Sequence, residues 1–254
     1  MRLLRTLGDA RAPKTLLPAV LVRLGLGDAY GVLETPIGPA FVAYNAQGVS
    51  AVSRGGSTEE FEATFQARFG RPVRRVDRLP AALEGRLRRA LRGTGRRSVR
   101  FDLRGVSEFE RAVLRKALDI PRGEVRPYGW IAREIGRPAA VRAVGTALGR
   151  NPIPLLIPCH RVVRSDGRIG EYAFGSKLKR TVLAAEGVDV EGLDALARAG
   201  IHYHGSDTTR IYCLPTCRNA RRISPKHRVA FRSAGEARAA GYRPCEVCRP
   251  ALAS

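Results

Sequence analysis

YGWIAREIGRPAAVRAVGTALGRNPIPLLIPCHRV, Tyr128–Val162, holds two short helical patterns, a Gly-Arg-Pro turn between them, and an apolar run that ends in Cys-His-Arg. Helix, tight turn, helix is the outline of a DNA-reading motif. In the second helix Val141, Val144 and Leu148 fall at i, i+3 and i+7 and are expected to face the core. The opposite stripe, Ala139, Arg142, Ala143 and Thr146, is a row of small side chains bearing one long cation. Such a face suits a wedge entering a DNA groove better than a reading head, which carries several polar side chains. An ordinary Ala-rich helix with one solvated Arg gives the same pattern. The run NPIPLLIPCHR, Asn151–Arg161, poses a chemical question. A buried strand of this length would make Cys159 inert packing. Prolines at 152, 154 and 158 each remove a ladder donor, and describe instead a stiff, extended path delivering Cys159 to a fixed place.

The chain has 254 residues, enough for one large domain or two to three small ones, and its 44% apolar content supports real cores. Forty-five Lys and Arg against 23 Asp and Glu give a net charge of +22, nearly all of the cations being Arg. A surplus of this size favours a polyanion, either nucleic acid or an anionic membrane. No stretch approaches the ~18 uninterrupted apolar residues of a spanning helix. TLLPAVLVRLGLG, residues 15–27, is broken by Arg23 and lacks a small-residue cleavage site, so no signal peptide and no membrane partner are expected. The expected location is cytoplasmic, where closely paired cysteines read as metal ligands before disulfides.

Residues 1–27 form an N-terminal extension with one helix around Leu16–Leu24. From Tyr30, YGVLETPIGPAFVAYN and GVSAVSRG alternate as strands about Pro-Ile-Gly and Asn-Ala-Gln-Gly turns. STEEFEATFQARFG is a helix capped by Ser57 or Thr58. A basic helix, AALEGRLRRALRG, then precedes a basic strand, RRSVRFDLRG, closing an α/β domain over 28–104. Residues 105–189 turn helical, opening with a Ser107–Glu110 capping box. VEGLDALARAG, residues 190–200, is a linker or short helix before a cysteine-rich tail at 201–254.

In that tail C-x3-C, 27 residues and C-x2-C place Cys213, Cys217, Cys245 and Cys248 at the spacing of a four-thiolate zinc site. With the cysteine set complete, His202 and His204 read as strand-surface residues. Ten Lys and Arg against three Asp and Glu leave residues 200–254 strongly positive. Arg218, Arg221, Arg222 and Arg249 are placed to serve both an anionic thiolate site and a phosphate backbone.

Tyr128–Gly187, with IPCHRV preceded by RAVG and NP and followed by a closing Glu-Gly, resembles the catalytic module of the O6-alkylguanine-DNA alkyltransferases. The resemblance extends more loosely over about residues 30–190. It implies an α/β N-terminal domain of ribonuclease H-like form, then an α-helical, winged-helix-like alkyltransferase domain with a helix-turn-helix. It implies single-turnover transfer of an alkyl group from O6-alkylguanine in double-stranded DNA, by a monomer, with no cofactor for the transfer. Cys159 would accept the alkyl group, His160 would act as base through a water, and Glu186 would orient His160. Asn151 would brace the turn, and Tyr128 would hydrogen-bond the departing guanine. Arg142, between Ala139 and Ala143, would fill the gap left by the flipped base. Leu148, Val162, Tyr172 and Ala173 would line the pocket.

TTRIYCLPTCRNAR and HRVAFRSAGEARAAGYRPCEVCRP resemble the small α+β zinc domain of the Ada methyl-response proteins, with Arg210 and Leu214 where that family usually has Gly and Arg. By that resemblance Cys213 is a second methyl acceptor, taking its methyl from a DNA phosphotriester. A purely structural zinc module that docks DNA remains the other reading of the tail. For the whole chain the alternatives are a non-catalytic protein that binds alkylated DNA and flags it for other repair, and a turnover Cys–His hydrolase. The presence of Cys159 speaks against the first.

Overall fold

The computed structural model describes residues 20–22, 24, 26–95 and 98–250. The helix expected around Leu16–Leu24 lies mostly outside the described residues. Chain contacts divide the protein into two compact units, residues 1–105 and 106–254. Among the described residues no helix is long and apolar enough to cross a membrane.

The first unit is built on a hairpin and its extension. Strands β1 (Asp28–Thr35), β2 (Gly38–Asn45) and β3 (Gly48–Arg54) run antiparallel, joined by the two expected turns. Helix α1 (Thr58–Phe69), capped by Ser57, crosses to β4 (Val73–Arg75), which lies parallel to β1 and completes the order β3-β2-β1-β4. Tyr30, Ala43, Ala51, Phe61 and Phe65 form the core between sheet and helix. Helix α2 (Ala81–Leu91) follows.

The expected basic strand at RRSVRFDLRG does not form over the described residues; one isolated bridge, Val49 to Phe101, is all that pairs. A Cβ on Gly48 would lie 2.3 Å from the Arg100 carbonyl oxygen, so the chains approach closely at that one point. Beyond it the Asp102 side chain takes bonds from the Arg104 backbone and from Asn45, which turns the chain away from a ladder.

In the second unit Ser107 and Glu110 form the expected reciprocal capping box on α3 (Glu108–Ala117). A two-residue strand, β5 (Arg126–Pro127), leads directly into α4 (Tyr128–Glu134), and α5 (Val141–Gly149) follows. Gly136 at φ 71° turns the chain between these two helices. A single 3-10 turn, Cys159–Arg161, runs into β6 (Val162–Val163), which pairs parallel with β5. Helices α6 (Ser176–Ala185) and α7 (Val190–Arg198) complete this layer, α7 occupying the expected linker.

The same unit continues into a sheet of order β10-β8-β7-β9, from β7 (Tyr203–Ser206), β8 (Ile211–Cys213), β9 (Arg228–Phe231) and β10 (Arg243–Pro244). Two short helices, α8 (Arg218–Arg221) and α9 (Ala234–Ala239), flank it.

Candidate active site and metal centre

The apolar run does not follow the extended path its prolines suggest. Asn151–Pro158 is folded into turns: Ile157 N donates to the Ile153 carbonyl at 2.9 Å, and Leu155 adopts φ 70°. The cause is Asn151, whose Oδ1 accepts from Ile153 N at 3.0 Å and starts the turn. The Asn151 Nδ2 donates to the Ile157 carbonyl at 2.9 Å and to Cys159 Sγ at 3.1 Å. The prolines fix φ along the loop, but the asparagine sets where it ends.

Cys159 is buried, and burial pushes its thiol up to about 11, against the Asn151 bond and the charge of Lys179. His160 is fully buried and places Nε2 3.1 Å from Glu186 Oε1. Arg161 donates Nε to Glu186 Oε2 at 2.7 Å and Nη2 to Oε1 at 2.6 Å, while its Nη1 reaches the Ile120 carbonyl at 2.7 Å. Burial works against the charge on Glu186, yet the bonds from His160 and Arg161 outweigh it and hold the carboxyl at about 2. A carboxylate so fixed can orient an imidazole and stabilise its protonated form.

Tyr128, the first residue of α4, is half-buried; burial and then the field of Cys159 raise its hydroxyl. Its ring passes 3.9 Å from where a Cβ on Gly145 would stand. Leu148 and Val162 are buried, Tyr172 is half-buried with its ring 6.0 Å edge-on from that of His160, and Ala173 is exposed. Arg142, Ala143 and Thr146 on α5 are exposed as expected, and the Thr146 hydroxyl folds back onto the Arg142 carbonyl at 3.3 Å; Ala139 is also exposed but lies in the turn before the helix, not on its face. Val141 departs from expectation and is 39% exposed. The helix begins only at Val141, so its first turn overhangs the core, and Ala147 packs inward beside Val144 and Leu148 instead.

Two further residues of this site, Arg161 within the motif and Lys179 on α6, have nothing in the sequence around them that marks them as buried. Lys179 is fully buried, donating Nζ to the carbonyls of Val162 at 2.6 Å and Glu171 at 3.1 Å. Burial pulls its amine down to about 8, against the fields of Cys159 and Glu171.

In the tail, Cys213 ends β8, Cys217 caps α8, and Cys245 and Cys248 follow β10. All four are buried, and their sulfurs lie within 4.8 Å of one another. A tetrahedral zinc with Zn–S bonds of about 2.3 Å sets sulfurs about 3.8 Å apart, so the four thiols fit the ion with only a small contraction. His204 is not a surface residue: it is buried on β7 opposite Cys213, and burial, then Arg228, pull it down to about 4. It stays outside the sulfur cluster, as does His202. Arg210 adopts φ 53°, a conformation that favours glycine, and its guanidinium sits 5.2 Å from the centroid of the Tyr242 ring. Leu214 is buried beside Val125, Pro127, Val163, Leu193 and Leu196 around one small cavity, an apolar contact the arginine usual there could not make.

Comparison with known proteins bears on both sites. Residues 108–188 match the family model of the 6-O-methylguanine DNA methyltransferase DNA binding domain, and residues 194–251 that of the metal binding domain of Ada. The methylated-DNA–protein-cysteine methyltransferase of Methanosarcina barkeri is 37% identical over 164 residues, 62% of this chain and 96% of that protein. The one from Mycolicibacterium paratuberculosis is 51% identical over 88 residues, 35% of this chain and 53% of its own length. The crystal structure of Mycobacterium tuberculosis OGT in complex with DNA matches with a TM-score of 0.51 at 29% identity, covering 65% of this chain and 98% of that one. The O6-methylguanine-DNA methyltransferase of Pyrococcus kodakaraensis, at 24% identity and a TM-score of 0.51, shares the fold.

Proposed function

The chain belongs to the methylated-DNA–protein-cysteine methyltransferases, and we propose that it repairs O6-alkylguanine in duplex DNA by one irreversible transfer to Cys159. The observation that carries this reading is the set Asn151–Cys159–His160–Glu186, a buried thiol held by a donor and followed by an imidazole paired with a carboxylate. In this reading residues 28–104 are a ribonuclease H-like domain, and residues 105–189 are a winged-helix-like catalytic domain with a helix-turn-helix.

The target atom is unreachable inside a duplex, so the base leaves the stack and Arg142 on the small-residue face of α5 fills the gap. The Cys159 thiol, protonated at rest, gives its proton through a water to His160, and Glu186 steadies the imidazolium. Sulfur bonds to the alkyl carbon as the carbon–O6 bond breaks, and the electron pair passes to the guanine. Tyr128 donates a hydrogen bond to the ring as that charge gathers, and the thiol proton is finally returned to the base. The product thioether has no leaving path, so each chain acts once. Duplex carrying O6-methylguanine in large excess is expected to load one methyl per chain. Many turnovers would indicate a hydrolase, and none a binder of lesions.

The tail supports a second reading, transfer from a methylphosphotriester to Cys213. Zinc bound there would keep four thiolates deprotonated and nucleophilic at neutral pH. Of the four cysteines, only Cys213 lines a cavity of about 430 Å³ shared with Ser206, Thr208, Asn219, Arg222 and His227. That lining is cationic and rich in hydrogen-bonding groups, as a phosphate requires. The Cys213 sulfur would bond to the methyl carbon while the carbon–oxygen bond breaks, leaving a phosphodiester anion. DNA bearing only phosphotriester damage, offered to Cys159→Ala protein, is expected to methylate Cys213. Zinc retained without uptake leaves a structural docking module.

A further inference from the structure

The cysteine-rich tail meets the alkyltransferase layer through the residues that flank its sulfurs. Thr216, between the first two cysteines, accepts from Val125 N at 2.9 Å through Oγ1. Arg218 N, just after Cys217, donates to Glu124 Oε1 at 3.1 Å, and Glu124 is itself buried against Arg126 at 2.6 Å. From the second cysteine pair, the Cys248 carbonyl accepts the Trp130 indole N–H at 2.9 Å. The Arg249 carbonyl takes Arg133 Nη2 at 3.1 Å, and the Arg249 guanidinium pairs with Glu134 at 2.6 Å. These tail groups come from both cysteine loops, and each is a ligand's own carbonyl or lies one residue from a ligand.

Everything they hold lies between Glu124 and Glu134: Glu124 and Val125 directly before β5, and Trp130, Arg133 and Glu134 on α4. Helix α4 starts with Tyr128, and β5 pairs with β6, which begins directly after the Cys159–Arg161 turn. Closing both cysteine loops on one ion therefore anchors, through two buried hydrogen bonds at Val125 and Trp130 and more exposed contacts at Glu124, Arg133 and Glu134, the segment that leads into β5 and the helix that carries Tyr128. A buried N–H or carboxylate on that surface that loses its tail partner pays for desolvation with nothing in return, so the helix and strand cannot keep their place indifferent to the tail.

We propose that metal occupancy of the four-cysteine site positions the alkyl-transfer site, so that loss of the ion loosens Arg126–Glu134 and slows reaction at Cys159 though no sulfur of the cluster takes part in it. This rests on the reading of Cys159 as acceptor. Trp130 is a positioning residue, acting through Tyr128 and β5, and it is the chain's single tryptophan, so its emission reports the contact directly.

The test uses the full chain, zinc-loaded, then stripped with a chelator, then reloaded. Three quantities are read: Trp emission, amide exchange over residues 124–134, and single-turnover transfer from free O6-benzylguanine, which needs no DNA. Stripping is expected to red-shift the emission, speed exchange in that segment and slow transfer between about ten- and a hundredfold. Reloading zinc is expected to reverse all three. Because a stripped chain can unfold altogether, Trp130→Phe is measured with zinc bound. It is expected to retain the ion while exchanging faster at 124–134, and to need more benzylguanine for half-maximal rate than the parent. An unfolded tail beside unchanged emission, exchange and transfer overturns the proposal, as does Trp130→Phe behaving like the parent. If the zinc-loaded parent takes neither the benzyl group nor a methyl group from duplex O6-methylguanine, the assignment of Cys159 fails, while emission and exchange still decide the coupling.

Discussion

The side-chain amide of Asn151 donates to the sulfur of Cys159 at 3.1 Å, with its second hydrogen on the Ile157 carbonyl and its oxygen on Ile153 N. All three bonds fix which end of the amide faces the thiol. A donor there favours the charged form that attack requires, against a burial that disfavours it. Asn151→Ala is expected to lower single-turnover transfer on the order of a hundredfold, and to cost about 1–3 kcal/mol in urea unfolding for the buried groups left unpaired. A stability loss with transfer unchanged would reduce Asn151 to a loop brace.

Arg161→Met should destabilise the fold by about 3–5 kcal/mol, because Glu186 keeps its buried charge but loses two of its three bonds. The pH dependence has a definite sign. The Glu186 carboxyl is depressed to about 2 from an ordinary 4.5, so its pairing stabilises the fold above 4.5 and is lost as pH falls toward 2. With Arg161 gone that depression shrinks, and the acid-unfolding midpoint followed by circular dichroism should move to higher pH.

The resting thiol of Cys159 is held up to about 11, so its thiolate fraction rises roughly tenfold per pH unit across neutral pH. Labelling of Cys159 by iodoacetamide, read by peptide mass spectrometry without DNA, should be slow at pH 7 and climb steadily to pH 9. A plateau below pH 8 would mean a thiolate already formed, and would remove the need for His160 as base.

Arg142 projects from the exposed face of α5. Arg142→Ala is expected to slow repair of paired O6-methylguanine far more than reaction with the free base, since flipping costs a few kcal/mol that only the duplex substrate must supply. Equal losses on both substrates would assign Arg142 to the fold.

What the sequence disclosed followed from how local each feature is. Cys159, His160 and Asn151 lie within a few residues of one another, and the four cysteines carry their chemistry in their spacing. The Ser107 cap and the β1–β2–β3 turns are equally short-range. The loop before Cys159 folds instead of extending because prolines report φ but not the Asn151 bond that bends the chain. His204 reads as a strand-surface residue, and neither it nor Lys179 has a local signal of the tertiary packing that buries it. The contact of Trp130 with Cys248 spans 118 residues and leaves no mark on either neighbourhood.

The central claim is that one thiol among five accepts the alkyl group from the base. Peptide mass spectrometry after incubation with duplex DNA containing O6-methylguanine and no phosphotriester damage measures this directly. The expected result is one methyl on the peptide carrying Cys159, with Cys213, Cys217, Cys245 and Cys248 unmodified and no transfer in Cys159→Ala. Methyl on any other cysteine, or repair that survives Cys159→Ala, would contradict it.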